Sequence, residues 1–223
     1  GGGDGSSGGS GDGETVKLTL AHIRPVGSSA DVAINAFAEE VTELTNATVT
    51  FEIYPAAQLG DYPVVQERVS IGDVDMQIAP MGTSMDKGFA LSNAPYLATT
   101  WEEAQKVFSP GGVVAEVTSE LLAKYGMTYL SSFPLYFGGI ALSVDAKDPT
   151  NPNAKSGIKI RVPSMAMFDA AATALGYLST PLASSDIFTS MQTGVVNGAI
   201  GMGAEGYFSN MADLVKYYLP IND

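Results

Sequence analysis

The sequence predicts an α/β protein made of two units that a long extended segment joins. Three observations predict this fold class. Segments with alternating apolar residues and segments with helical spacing follow one another over residues 16–80, in the order β-α-β-α-β. A strand-forming stretch over residues 127–144 is interrupted by Pro134 and by a glycine pair at 138–139. Strand-like and helix-like segments then alternate a second time.

The first unit opens with a strand and a helix. Apolar residues alternate over residues 16–23, which predicts the strand. The helix is predicted from apolar residues at helical spacing, which are Ile34, Phe37, Val41 and Leu44. Three residues are candidates for its N-terminal cap: Ser28, Ser29 and Asp31.

Two further strands and three further helices follow in this unit. The pattern predicts strands over residues 47–55 and 74–80, with a helix over 62–70 between them. Parallel strands with helical crossovers are expected from this order. The two later helices carry end signals, namely Thr100 with Glu103 at the start of one and Gly126 at the end of the other.

The second unit has the same kinds of element. We expect strands over residues 158–162 and 195–203. The predicted helices cover residues 163–176, with Ser164 as cap, 184–194, with Ser184 or Ser185 as cap, and 207–218.

These elements define the domain boundaries. We assign residues 14–132 to the first unit and 133–204 to the second, and we expect residues 205–223 to complete the first unit. Residues 1–13 contain only Gly, Ser and Asp and are expected to form a flexible linker. This linker is either a native spacer from a lipid anchor or an engineered addition, and we expect that any export signal was removed or never existed.

The composition excludes several classes of function. A net charge of −13 leaves no basic face for nucleic acid or for anionic lipid headgroups. The absence of cysteine excludes disulfides, thiol catalysis and thiolate metal sites. The oxygen-rich loop over residues 145–157 does not have the spacing of a calcium loop, so no metal or cofactor is expected.

Arg161 is the main candidate for a binding residue. It is one of three arginines and lies where a predicted strand ends and a predicted helix begins. Ligands of α/β sheets bind beyond the carboxyl ends of strands. A guanidinium binds a carboxylate through two parallel hydrogen bonds, and the start of the helix adds favourable N–H groups. The alternative is an exposed ion pair of little energetic value.

Four segments resemble the extracytoplasmic solute-binding proteins of tripartite ATP-independent periplasmic (TRAP) transporters, the DctP type. The resemblance is carried by "IYPAAQLGD", "VQERVSIGDVDMQIAP", "SGIKIRVPSMAMFDAAATALG" and "PLASSDIFTSMQTGVVNGAI". It implies a two-lobed fold like that of type II periplasmic binding proteins, with a hinged cleft between the lobes. Arg161 matches the family's carboxylate-binding arginine. The family continues beyond the position of Asp223, so we expect a further C-terminal portion.

The resemblance also implies a function. The protein would capture a small organic acid outside the cytoplasm, in the periplasm or at the cell surface, and deliver it to a TRAP membrane permease. We expect a monomer without catalytic residues. An extracytoplasmic sensor or accessory binding module is one alternative. An enzyme on the same scaffold is another, for which only His22 and scattered acids are available.

The chain departs from the family at four positions that affect the ligand. Gly139 or Ile140 stands where many members have a second arginine, and Gly201 or Met202 where an asparagine is frequent. Asn197 replaces the usual aspartate, and Asp186 the usual glutamate. These changes make the pocket less polar and predict a monocarboxylate with an apolar or aromatic body. The expected binding residues, besides Arg161, are His22, Phe137, Met165, Phe168, Met202 and Tyr207.

Overall fold

The computed structural model describes residues 14–151 and 153–221 and contains two β-sheets. One sheet lies in the first unit and the other in the second, which confirms the predicted α/β class. The linker expected at residues 1–13 lies outside the described residues.

The first sheet is parallel, as the β-α-β-α-β order predicts. Its strands are β1 (Val16–His22), β2 (Val49–Tyr54) and β3 (Met76–Ile78), in the spatial order β2-β1-β3. Two helices connect them, α1 (Ser29–Leu44) and α2 (Tyr62–Ser70). The carboxyl ends of all three strands therefore meet at one edge, which is where ligands of such sheets bind.

Helix α1 buries only part of the face that its large apolar residues suggested. Ile34 is 2% exposed and packs with Ala30 and Ala38, whereas Leu44 is 75% exposed and Phe37 is 38% exposed. The buried residues Ala30, Ile34 and Ala38 are four residues apart and therefore lie on one face of the helix. Ser28, one of the three candidates, is the N-terminal cap and accepts a hydrogen bond from the backbone N–H of Asp31.

The rest of the first unit is helical. A 3₁₀ helix, Lys87–Asn93, precedes α3 (Trp101–Phe108) and α4 (Val113–Lys124). Thr100 caps α3 as predicted, although the carboxylate of Glu103 accepts from the backbone of Thr99 instead. Residues 127–138 form no regular strand, so the predicted long strand is limited to β4 (Gly139–Leu142).

The second sheet is mixed and has five strands. They are β4, β5 (Lys159–Val162), β6 (Leu178–Pro181), β7 (Gly198–Met202) and β8 (Tyr217–Pro220), in the order β6-β5-β7-β4-β8. Its helices are α5 (Ala166–Ala174), α6 (Ile187–Gln192) and α7 (Ala204–Met211). The predicted serine caps are wrong, because no side chain caps α5 or α6.

The last part of the chain belongs to the second unit. We expected residues 205–223 to complete the first unit, but β8 pairs antiparallel with β4, and Tyr207 and Met211 of α7 pack in the core of the second sheet. The predicted helix over 207–218 ends at Met211, since the chain must extend to form β8. No helix among residues 14–151 and 153–221 is long and apolar enough to cross a membrane.

Candidate functional site

Arg161 lies in a central strand of the second sheet. Strand β5 runs between β6 and β7, where Arg161 is paired with Thr180 on one side and Ala199 on the other. The residue is 3% exposed. Its Nε donates to the carbonyl oxygen of Leu182 at 2.9 Å and its Nη1 to that of Ile200 at 3.5 Å. These bonds hold the guanidinium in a fixed position.

The positive charge of Arg161 has no carboxylate partner within the described part of the chain. The ion pairs found there, with N···O distances up to 4.0 Å, are Lys17–Glu52, Arg68–Asp73 and Lys106–Glu102, and the carboxylate of Asp31 is hydrogen-bonded to His22. Burial lowers the pKa of Arg161, yet an arginine starts from so high a pKa that it stays charged. A buried charge without a counter-charge is costly, and an anionic ligand removes that cost.

Residues of both units surround this charge. The side chains that act on it electrostatically are Tyr207, Tyr62, Asp61 and Tyr136. Tyr62 and Asp61 come from the start of α2 in the first unit, which places Arg161 where the two units meet.

Tyr207 is a core residue as well as a neighbour of Arg161. Its exposed fraction is 0%, and its hydroxyl donates to the carbonyl oxygens of Ala199 at 2.9 Å and Gly139 at 3.3 Å. Tyr207 therefore links α7 to strands β4 and β7 behind the guanidinium.

A second arginine approaches from the first unit. Arg24, just after β1, donates from Nη1 to the hydroxyl of Tyr136 at 2.9 Å, and its Cζ lies 5.3 Å from the centre of that ring. The same hydroxyl donates to the carbonyl oxygen of Gly201 at 3.4 Å. At Gly139, a Cβ would lie 2.4–2.7 Å from atoms of the Tyr218 side chain, so a larger residue there requires that side chain to shift.

Two further contacts join the units beside this site. Ser184 Oγ donates to Asp61 Oδ1 at 2.7 Å. The backbone N–H of Ser29 donates to Glu205 Oε1 at 2.9 Å, and the Ser29 hydroxyl is hydrogen-bonded to Glu205 Oε2. These hydrogen bonds from the Ser29 backbone and side chain lower the pKa of Glu205.

Tyr62 is the least satisfied polar side chain of the site. The residue is 3% exposed, and its hydroxyl has no hydrogen-bond partner among the described residues. Burial, helped by the negative charge of Asp61, raises the pKa of Tyr62 to about 12. The tyrosine is therefore protonated at neutral pH and able to donate a hydrogen bond.

His22, a predicted binding residue, has a structural role. Its Nε2 donates to Asp31 Oδ1 at 3.0 Å, and its Nδ1 accepts from the backbone N–H of Arg24 at 3.1 Å. Both ring nitrogens are therefore occupied by protein groups. Asp31 also accepts from the backbone N–H of Gly27 at 2.8 Å, so the pair fixes the turn that carries Arg24.

The remaining predicted residues do not form one wall. Phe137 packs edge-on against Trp101, with ring centres 5.0 Å apart. Met165 lines an open depression at the start of α5 together with Ser164, Asp169 and Pro181. Phe168 packs against the cluster that contains Ile160 and Val162, on the face of the sheet opposite to Arg161, whereas Met202 packs against the cluster that contains Ala199 and Tyr207.

Sequence reasoning missed four residues near Arg161. They are Arg24, Asp61, Tyr62 and Tyr136. A signal was present for three of them, because Arg24, Asp61 and Tyr62 follow the carboxyl ends of parallel strands. No signal marked Tyr136. No group of three or more His, Asp or Glu residues in the described ranges is arranged to hold a metal ion.

Comparison with curated proteins shows relatives of moderate identity. A solute-binding protein of Roseobacter denitrificans is 28% identical over 189 residues, which cover 83% of this chain and 56% of that protein. The C4-dicarboxylate-binding periplasmic protein DctP of Rhodobacter capsulatus is 24% identical over 92% of this chain and 61% of its own length. The chain thus spans less than two thirds of these relatives.

Solved structures share the fold. A TRAP periplasmic solute-binding protein from Sulfitobacter with bound β-D-galacturonate has a TM-score of 0.77 at 23% identity, covering 91% of this chain and 67% of that one. The Bordetella pertussis receptor DctP7, which binds pyroglutamic acid, has a TM-score of 0.77 at 22% identity, covering 92% and 66%.

A sequence model of one protein family matches nearly the whole described chain. The match covers residues 20–222 and therefore both sheets and the site around Arg161. The chain belongs to the bacterial extracellular solute-binding proteins, family 7 (DctP).

Proposed function

We propose that this chain captures a small organic carboxylate outside the cytoplasm, as a monomer, and passes it to the permease of a TRAP transporter. One observation carries the proposal. The guanidinium of Arg161 is buried where the two units meet, and no carboxylate of the described residues neutralises it. A ligand carboxylate would supply the missing charge and accept hydrogen bonds from a group that the sheet already orients.

The ligands of related proteins support this class. The names of the relatives include a C4-dicarboxylate-binding protein and a sialic acid-binding protein, and the similar structures hold galacturonate, L-fuconate and pyroglutamic acid. These ligands are all organic acids, although their bodies differ in size and polarity. The acid group is thus the feature that they share.

We propose further that the ligand is a monocarboxylate with an apolar or aromatic body. The side chains that surround Arg161 include the rings of Tyr62, Tyr136 and Tyr207. The second arginine, Arg24, is already bonded to Tyr136. The site therefore offers a ligand the positive charge of Arg161, which has no carboxylate partner among the described residues, and several aromatic rings.

Titration calorimetry with a panel of acids tests the proposal. The panel contains phenylacetate, benzoate, pyroglutamate, D-glucuronate and succinate, with phenylacetamide as the neutral match of the first. Phenylacetate or benzoate should bind more tightly than D-glucuronate and succinate, and phenylacetamide should not bind. Tight binding of succinate alone would contradict the proposed ligand body. If no acid binds at millimolar concentration, the proposed function is wrong.

A further inference from the structure

The hydroxyl of Tyr62 is an exception to the way that buried polar groups are paired. Nearly all buried hydroxyl groups in proteins have a hydrogen-bond partner. Among the described residues, only two buried side-chain polar atoms have none, which are the hydroxyls of Tyr62 and Ser179. An unpaired buried hydroxyl costs stability, so its retention where the two units meet indicates a partner that is supplied from outside the chain.

A chain of hydrogen bonds places Tyr62 opposite Arg161. Asp61, the preceding residue, accepts a hydrogen bond from Ser184. Ser184 lies two residues after Leu182, whose carbonyl oxygen accepts the Nε–H of Arg161. The start of α2 is thereby held against the segment that positions the guanidinium. The charge of Arg161 also acts on the Tyr62 hydroxyl, in agreement with this proximity.

The hydroxyls of the other tyrosines at the site already have hydrogen-bond partners in the protein. The hydroxyl of Tyr136 accepts from Arg24 and donates to Gly201. The hydroxyl of Tyr207 donates to backbone carbonyl oxygens of β4 and β7. Tyr62 is the tyrosine beside Arg161 whose hydroxyl has no partner within the described ranges.

We propose that Tyr62 is a ligand-binding residue whose hydroxyl donates a hydrogen bond to the carboxylate that Arg161 holds. The ligand's carboxylate then joins the two units, with Arg161 in the second and Tyr62 in the first. This inference rests on the proposed function. The tyrosine remains protonated at neutral pH and donates, which suits an acceptor-only carboxylate better than a neutral amide.

The test is the substitution Tyr62→Phe, which keeps the ring and removes the hydroxyl. The dissociation constant of the tightest-binding acid of the panel (phenylacetate, benzoate, pyroglutamate, D-glucuronate and succinate) should rise by roughly tenfold or more, because hydrogen bonds to charged groups are strong. The melting temperature of the ligand-free variant should not fall, since an unpaired hydroxyl has been removed. If the hydroxyl has only a structural role, the dissociation constant should stay unchanged and the melting temperature should fall.

Two control variants separate this effect from a general one. Tyr177→Phe makes the same change at a buried tyrosine in the core of the second sheet, and Ser179→Ala removes the other unpaired hydroxyl. Ser179 is paired with Ile160, so its side chain lies on the face of the sheet opposite to that of Arg161. Both controls should bind the same acid within twofold of the wild type.

Arg161→Lys distinguishes the possible failures. If Arg161→Lys abolishes binding and Tyr62→Phe leaves the affinity unchanged, the role of Tyr62 is wrong and the proposed function stands. If Arg161→Lys leaves the affinity unchanged, Arg161 does not hold the carboxylate and this inference fails, while the capture of an acid stands. If no acid binds the wild type, the proposed function fails and this inference fails with it.

Discussion

At the scale of single residues, the site combines a buried charge with a histidine that holds the backbone nearby. Arg161 is anchored by two backbone carbonyl oxygens, and His22 is anchored by Asp31 and by the backbone of Arg24. Arg161 has no carboxylate partner among the described residues and can bind an anion, whereas both ring nitrogens of His22 are already hydrogen-bonded. This contrast separates a binding role from a structural one.

Arg161→Met should abolish ligand binding without destabilising the ligand-free protein. A buried charge without a partner is costly, so an apolar side chain of similar volume in its place removes that cost. We therefore expect the affinity for an organic acid to fall at least about a hundredfold, because charge-assisted hydrogen bonds to the guanidinium are lost. Calorimetry and thermal melts of the same preparation measure both effects. Retained affinity would remove Arg161 from the site.

His22 should make the stability of the protein depend on pH near neutrality. Burial lowers the pKa of His22 below its ordinary value of 6.5, against the opposing effect of Asp31. The unfolded chain then binds a proton at a pH where the folded chain does not, so the free energy of unfolding falls as the pH falls below 6.5. His22 is the only histidine in the chain.

Thermal melts of wild type and His22→Gln between pH 5.5 and 7.5 measure this dependence. We expect the wild type to lose stability towards pH 5.5 and the variant to show a flatter profile. At pH 7.5 the variant should be less stable by about 1–3 kcal/mol, because its buried partners lose hydrogen bonds. Equal slopes for both proteins would contradict the assignment.

At the scale of secondary-structure elements, the sequence predicts whether a segment is a helix or a strand better than it predicts which elements pair with one another. The periodicity of β1, α1, β2, α2 and β3 is local, so their order and their parallel sheet follow from the sequence. The strands β6 and β8 and the irregular stretch over residues 127–138 were missed. Their conformation depends on neighbouring strands rather than on local pattern.

The site was predicted in part for the same reason. Arg161 stands out because arginine is rare in this chain and follows a strong strand pattern. The sequence pattern does not mark Tyr62 as a binding residue. Only the packing of the two units shows that its hydroxyl is buried without a partner among the described residues. The predicted serine cap at Ser184 is wrong because that hydroxyl donates to Asp61 across the units.

The buried face of α1 can be tested with a matched pair of variants. Ile34→Ala should cost about 2–5 kcal/mol of unfolding free energy, because it leaves a cavity in a closely packed core. Leu44→Ala should change it by less than about 0.5 kcal/mol, since the side chain is 75% exposed. Urea denaturation of both variants makes the comparison. A larger loss at Leu44 would favour the face first predicted from the sequence.

At the scale of the whole molecule, three polar contacts join the two units around Arg161. They are Arg24–Tyr136, Ser184–Asp61 and Ser29–Glu205. Each such hydrogen bond contributes about 0.5–1.5 kcal/mol to the arrangement in which the units meet. The three contacts raise the population of this arrangement before a ligand binds. A ligand that binds only this arrangement therefore has a higher apparent affinity.

The double variant Ser29→Ala and Ser184→Ala should therefore weaken ligand binding, although neither residue is proposed to contact the ligand. We expect the dissociation constant to rise by a factor of about 5 to 160, which corresponds to two lost hydrogen bonds of about 0.5–1.5 kcal/mol each. The radius of gyration from X-ray scattering should increase in the ligand-free variant. Ser70→Ala is the control, because its hydroxyl donates within the first unit to Glu67. An unchanged affinity in the double variant would show that these contacts do not govern binding.

The position of β4 in the second sheet has a consequence for the time course of folding. Strand β4 comes first in the chain among the five, yet its neighbours are β7 and β8, the last two. As the polypeptide emerges from a ribosome or an export channel, the first sheet can assemble once Ile78 is free, whereas β4 must wait for Tyr217–Pro220. Such distant pairing slows folding, so the half of the protein that carries Arg161 is the last to mature.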